Sequence, residues 1–391
     1  MARTPDVSLE TSLSRLSDWD GVSVFEPKIP LCAFEKNELY TLLTEGYGVK
    51  KFRVKQIYQW LYHHLVDDFD EMTNLSKALR ERLGKSARVR TTLAGIGHIA
   101  SDGTTKFTFK LFDDAVVEAV FLPFETRNTL CISSQVGCAM GCTFCFTAQM
   151  GLVRHLTPDE IVDQVVFAKK WARDRDQNVS NIVYMGMGEP LHNLDAVIKS
   201  VAIFKHEDGL NFSRRKITVS TSGLVDAMNT FMDESDVQLA VSLNATTDIQ
   251  RSKIMPVNDR YDLETLMRSL KVLPLDKRQR ITLEYVMLKD FNDTIEDAQR
   301  IVKLTKGIKC KLNLIPFNPH PGSPFETPEE ENIEKFQEYL RSKKVSCFRR
   351  KTRGRDEMAA CGQLGEPGER PLPKHLKKRL EILHSDRMNA K

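Results

Sequence analysis

Three cysteines, Cys138, Cys142 and Cys145, stand in the stretch "CISSQVGCAMGCTFCFTAQMG" with the spacing C-x3-C-x2-C. Thiolates are soft ligands, and three crowded together point to a metal or to catalysis rather than to a disulfide scaffold. A structural zinc site wants four closed ligands, commonly as two C-x2-C pairs, and no matching pair follows downstream. A 4Fe-4S cubane has four iron corners, usually all held by cysteine. Three thiolates leave one of those irons open to a ligand from outside the chain. Zinc stays as the competing reading. Cys131, seven residues upstream, and Cys361, in "AACGQL", fall outside the spacing and need separate explanations.

The elements that must position these thiols are legible from residue 129 onward, where strand and helix patterns alternate. The candidate strands are "TLCISS", "NIVYMG", "KITVST", "VQLAVSL", "ITLEYVML" and "KLNLIPF". The clearest helix begins after Thr157, with Pro158 at its first position and Asp159 and Glu160 in its first turn. Six β-then-α units in series predict an α/β fold, a parallel sheet with outer helices, open or partly closed as a barrel. Chemistry in such sheets sits at the C-terminal strand ends. The thiol cluster follows the first strand, "GMGEP" the second, "STSG" the third, "SLNATT" the fourth and "PFNPHPG" the sixth.

Upstream, residues 36–87 read as a small helical domain built from "NELYTLLTEG", "KQIYQWLYHHLV" and "SKALRERLGK", with Lys50, Lys51, Arg53 and Lys55 where its second helix starts. Residues 88–127 read as a short β unit, and residues 1–35 as a lead-in without periodicity. The 391 residues are 41% apolar and 28% charged, with no apolar run near the roughly 20 residues that span a bilayer. The N-terminus reads as neither a secretory nor a transit peptide. A cytoplasmic monomer with reduced thiols and no membrane association is expected. Net charge is +4 but uneven, since residues 341–391 hold 15 Lys/Arg against 6 Asp/Glu. That balance fits an anionic partner such as nucleic acid, or a solvated face. The tail, residues 366–391, reads as a short basic helix that touches phosphate and leaves the thiol chemistry alone.

The C-x3-C-x2-C loop after the first strand of a β/α array resembles the radical S-adenosylmethionine (radical SAM) superfamily. There SAM chelates the open iron through its amino and carboxylate groups and is cleaved reductively to a 5′-deoxyadenosyl radical. On that likeness Gly186 and Gly188 let backbone approach the ligand and Glu189 accepts from the SAM ammonium. Ser220 and Ser222 contact its carboxylate, and Ser242, Asn244 and Asn318 hold ribose and adenine.

The motifs "YMGMGEPLHN", "ITVSTSG", "LEYVML", "NLIPFNPHPG" and "TRGRDEMAACGQL", with the cysteine loop, are similar to the RlmN/Cfr family of radical SAM RNA methyltransferases, from about residue 30 to about residue 365. The resemblance implies a partial (β/α)6 radical SAM barrel over residues 128–365 and a helix-hairpin-helix-like N-terminal domain. It implies methylation of carbon 2 of an adenine in 23S rRNA and, in the RlmN branch, of a tRNA adenosine next to the anticodon. Two SAM molecules serve each turnover, with an electron donor such as flavodoxin or ferredoxin. Cys361 carries the methyl group, Cys131 resolves the RNA–protein thioether through a transient disulfide, and Glu118 is the general base. Cys32, Cys310 and Cys347 are read as packing residues. Phe146, Met150 and Asn244 depart from the family pattern, while Thr147-Ala148-Gln149 matches the RlmN branch. The alternatives are Cfr-like carbon-8 methylation and an iron–sulfur RNA-binding factor without turnover.

Overall fold

The six expected strands form as Arg127–Cys131, Asn181–Tyr184, Ile217–Thr221, Gln238–Ser242, Ile281–Met287 and Cys310–Pro316 in a computed structural model that describes residues 4–365 and 372–389. They lie parallel and in that spatial order. A short seventh strand, Cys347–Arg349, adds to Cys310–Pro316. Strand order is linear, so the sheet is an open, partial barrel among the described residues.

Each strand divides its side chains with a period of two. Leu130, Ile182, Val219, Leu239, Leu283, Leu312 and Leu314 are fully or almost fully buried in the apolar core. The alternate set, Thr129, Asn181, Thr218, Thr282, Glu284 and Asn313, lines cavities on the other face. The crossover helices include Pro158–Arg173, Leu194–Lys205, Ile295–Leu304 and Glu330–Ser342. The first starts as its residues dictate. Thr157 and Glu160 form a reciprocal capping box, and Glu160 also takes two hydrogen bonds from the buried guanidinium of Arg154, at 2.8 and 2.9 Å.

The β unit extends this sheet instead of standing beside it. Val116–Phe124 pairs antiparallel with Arg127–Cys131, then Thr105–Lys110 and Leu93–Ile99 follow outward. Edge-to-face packing of Phe107, Phe109 and Phe121 on Phe167 and Trp171 fixes it to the first crossover helix. In the N-terminal region the expected helices form over Lys36–Thr41, Lys51–Gln59 and Lys77–Ser86. The lead-in departs from expectation, because Leu9–Ser17 is a helix capped by Ser8. Leu9, Leu13 and Leu16 recur there at helical spacing, with Leu16 buried where a side chain on Gly46 would clash and the other two packed partly buried against the core. Ion pairs Lys36–Asp208, Lys170–Asp67 and Lys199–Glu38 tie this region to the barrel helices. No helix among the described residues is long and apolar enough to cross a membrane.

Candidate active site

The C-terminal strand ends enclose one cavity. Its wall contains Cys138, Cys142 and Cys145, then Gly188, Glu189, Ser220, Ser242, Asn244, Asn318 and Cys361. With Gly186 and Ser222, twelve of the fourteen expected site residues therefore meet there, from segments up to 223 residues apart in the chain. Cys131 and Glu118 are not in that wall. Cys131 is buried one layer deeper, and Glu118 is buried on the neighbouring antiparallel strand.

Both "GMGEP" glycines line the cavity, and each also permits a close packing that a side chain would block. A Cβ on Gly186 would sit 2.7 Å from the Ile132 carbonyl oxygen. One on Gly188, at φ 100°, would sit 2.5 Å from Gln135 Cβ. Their missing side chains let the turn pack on the segment leading into the cysteine loop. Glu189 then folds back: its carboxylate accepts from the Leu191 N–H at 3.1 Å and the Ser222 N–H at 2.7 Å. Burial raises its pKa and these hydrogen bonds oppose the rise.

Asn244 has a left-handed backbone, φ 52°, which asparagine tolerates better than most residues. Its side-chain oxygen accepts from the Val286 N–H at 2.8 Å, and its amide nitrogen meets Met255 sulfur. Asn318 donates to the Cys361 carbonyl at 3.1 Å. Both residues line the cavity, and their amides also hold its wall together.

The loop bearing Cys361 is gripped from several sides. Phe146 N–H donates to Gly362, Thr147 Oγ1 to Leu364 and Gln363 Nε2 to Pro319, all to carbonyls. Phe146 acts here through its backbone, so its departure from the family pattern leaves this contact intact. Gly365 N–H donates to Glu118 Oε2 at 2.8 Å, and Lys106 Nζ lies 3.0 Å from Glu118 Oε1. Glu118 is thus an inward, paired carboxylate fastened to the Cys361 loop. Burial pushes Cys131 up to about 12, opposed by the Arg350 guanidinium and reinforced by Cys361. Burial raises Cys361 as well, and Arg350 again opposes.

Sequence reasoning missed three residues. Glu284 is buried in the cavity wall; Ser220 donates to one of its oxygens at 2.8 Å and the other is unpartnered. A lone carboxylate within the apolar run "ITLEYVML" was the available signal. Arg251, wholly buried, donates to the carbonyls of Ser222 at 2.8 Å and Ser242 at 3.1 Å, so it bolts two strand ends together. Desolvation lowers its pKa to about 10. Arg350 shares a small cavity wall with Cys361, its charge reaches both outlying cysteines, and in the sequence it is one of several basic residues in "CFRRKTRGR".

The donor set fits an iron–sulfur cluster with a ligand beside it. The three thiols share one wall, as ligands of one cluster would. Ser222 Oγ and Glu284 Oε1 are buried polar atoms without a partner, and both face the cavity, as a site for a polar ligand requires.

The C-terminal helix, Lys374–Asn389, lies against this loop. Leu376 and Leu380 pack with Ala148 and Cys145, and Arg379 bonds Asp259 at 2.6 Å. Lys374, Lys377 and Lys378 remain exposed on the helix. The helix expected to touch phosphate therefore also packs on the segment that bears Cys145. Residues 366–371, 390 and 391 of that expected tail lie outside the described residues.

Residues 29–89 match the family described as Ribosomal RNA large subunit methyltransferase N-terminal domain, and residues 132–305 match the Radical SAM superfamily. The chain is 49% identical to the dual-specificity RNA methyltransferase RlmN of Syntrophotalea carbinolica, over 87% of this chain and 90% of that protein. It is 48% identical to the protein of the same name from Geobacter sulfurreducens, over 87% and 93%. The crystal structure of a radical SAM methyltransferase from Sphaerobacter thermophilus superposes with a TM-score of 0.83 at 40% identity, covering 86% of this chain and 99% of that one. With fold, thiol loop and N-terminal domain all shared at this level, the chain belongs to the RlmN family of radical SAM enzymes.

Proposed function

We propose that this protein methylates carbon 2 of adenine in 23S rRNA and in tRNA next to the anticodon, through a methyl group carried on Cys361. Carbon 2 is an electrophilic ring carbon and does not attack a SAM methyl as a nucleophile would. A thiol is needed to carry the methyl, and the observation that carries this reading is Cys361 in the same wall as the three clustered thiols.

Cys138, Cys142 and Cys145 would hold the 4Fe-4S cluster, with Glu189, Ser220, Ser222 and Ser242 beside SAM. When bound, the cluster supplies the electron for reductive SAM cleavage, drawn from a flavodoxin- or ferredoxin-type donor. Cys361 accepts a methyl from one SAM, and a second SAM supports its transfer to the ring. Glu118 takes the carbon-2 proton, a role its buried carboxylate suits, with Lys106 beside it to balance charge. Cys131 attacks the Cys361 sulfur: an S–S bond forms, the S–C bond to the RNA adduct breaks, and the electron pair leaves with the methylene carbon, which takes up a proton to become the methyl group. A thiol reductant then restores both cysteines. Arg350, whose charge reaches both sulfurs, favours their thiolate forms over the neutral thiols that burial prefers.

The test is mass spectrometry of 23S rRNA and tRNA incubated anaerobically with the reconstituted enzyme, SAM and reductant. Methyl at adenine carbon 2 supports the proposal; methyl at carbon 8, or no methylation, refutes it.

A further inference from the structure

The strand alternation that builds the active site also builds a second cavity, which shares Met185 and Glu284 with the first and of whose residues the chemistry above uses Arg350 alone. It occupies the N-terminal half of the barrel interior and has a volume of about 680 Å³, against about 150 Å³ for the cavity at the strand ends. Its wall mixes Leu122, Val183 and Met185 with polar side chains where a packed core would be wholly apolar, the polar set being Thr129, Asn181, Thr218, Thr282 and Asn313. Its rim is cationic, with Arg127, Arg215, Lys311, Arg350 and Lys351. Arg349 also lines it, but Glu330 neutralises that side chain. The other five are in no ion pair among the described residues. Glu284, at the top, is the sole carboxylate in the wall.

Cations gathered around one cavity repel one another. Desolvation, then repulsion from Arg127 and Arg280, lowers the pKa of Lys311. Phe124 carries Arg127 at 5.4 Å and Arg353 at 4.8 Å from its ring centre, and Phe348 stands 56% exposed beside them. Interleaved aromatic and basic side chains are what a single-stranded nucleic acid is bound by. The basic run "CFRRKTRGR", part of the charged C-terminal quarter, thus surrounds the barrel mouth, separate from the C-terminal helix. A smaller cavity shares Leu122, Phe124, Arg350 and Lys351 with this one and is lined by Cys361, so the basic mouth adjoins the methyl-carrying thiol.

The geometry points to a phosphate-binding site in this lower barrel, where Arg127, Lys311, Arg350 and Lys351 receive phosphate groups: the phosphodiesters flanking the reacting adenine, or free phosphate. The assignment to RNA rests on the function proposed above. Its test uses the holoenzyme and the double variant Arg127→Gln/Lys311→Gln, with Arg127→Lys/Lys311→Arg as the charge-retaining control. Affinity for an anticodon stem-loop RNA is measured between 50 and 200 mM salt, and affinity for pyrophosphate in parallel. Each single-strand phosphate contact contributes about 0.7 to the slope of log affinity against log salt. Removing two contacts flattens that slope by about 1.4, so wild type loses about sevenfold more affinity than the double variant over this range. SAM binding and melting temperature stay at wild-type values in both variants.

A flattened RNA slope, restored in the charge-retaining control, assigns the site to the RNA backbone. Loss of pyrophosphate binding with an unchanged RNA slope assigns it to free phosphate. No change in either overturns the site. Wild-type enzyme that binds RNA but does not methylate it would refute the proposed function alone, leaving these outcomes readable.

Discussion

Leu376→Ala tests whether the C-terminal helix is part of the cluster site. Leu376 is fully buried and Leu380 nearly so, both against Ala148 and Cys145. Burying a leucine stabilises by roughly 1.5–3 kcal/mol, and a cavity left behind adds to its loss. Truncation at Leu376 should therefore weaken docking of the helix by about 2–3 kcal/mol. Every 1.4 kcal/mol is a factor of ten, so the undocked population rises roughly 30- to 150-fold. Cluster-free protein is treated with iodoacetamide and alkylation of Cys145 is followed by mass spectrometry. While the helix re-docks faster than the thiol reacts, the rate follows the undocked fraction. Cys32, 1% exposed in the N-terminal region, is the internal control and should stay unreactive. A Cys145 rate within twofold of wild type would refute the packing argument. Parallel acceleration at Cys32 would mean that the whole chain, not the helix, had opened.

Cys131→Ala should bind the cluster and load a methyl on Cys361 but stall, giving a protein–RNA adduct that ribonuclease collapses on a denaturing gel; Cys361→Ala should give neither adduct nor product. Ala at Cys138, Cys142 or Cys145 should abolish the brown absorbance and SAM cleavage, and full iron content in any of these variants would remove that residue from the ligand set. Glu118→Gln should keep SAM cleavage and lose methylated RNA, since only the proton removal needs a carboxylate; normal product yield would move the base elsewhere. Gly188→Ala should cost about 1–3 kcal/mol through its strained φ, read as a lower melting temperature, because the new Cβ meets Gln135.

The sequence alone carried the order of strands and helices, since each strand's β-branched run and the Thr157–Glu160 box are local signals that the fold obeys. It also carried the cysteine set, because ligand spacing and the motif around Cys361 survive as strings of letters. Tertiary structure decided what each polar group is spent on. Gly186 and Gly188 serve a backbone approach to Ile132 and Gln135, contacts more than 50 residues distant in sequence. Asn244 and Asn318 support the wall because Val286 and the Cys361 carbonyl lie within reach. Glu118 turned inward only once Lys106 and Gly365 were beside it. The tail's Lys residues advertised RNA, while Leu376 and Leu380, four residues apart on one helix face, found the cysteine loop. Local patterns fix backbone conformation through short-range sterics and capping. A side chain's partners depend on which distant segments the folded sheet brings within hydrogen-bond range, and no spacing in the chain encodes that distance.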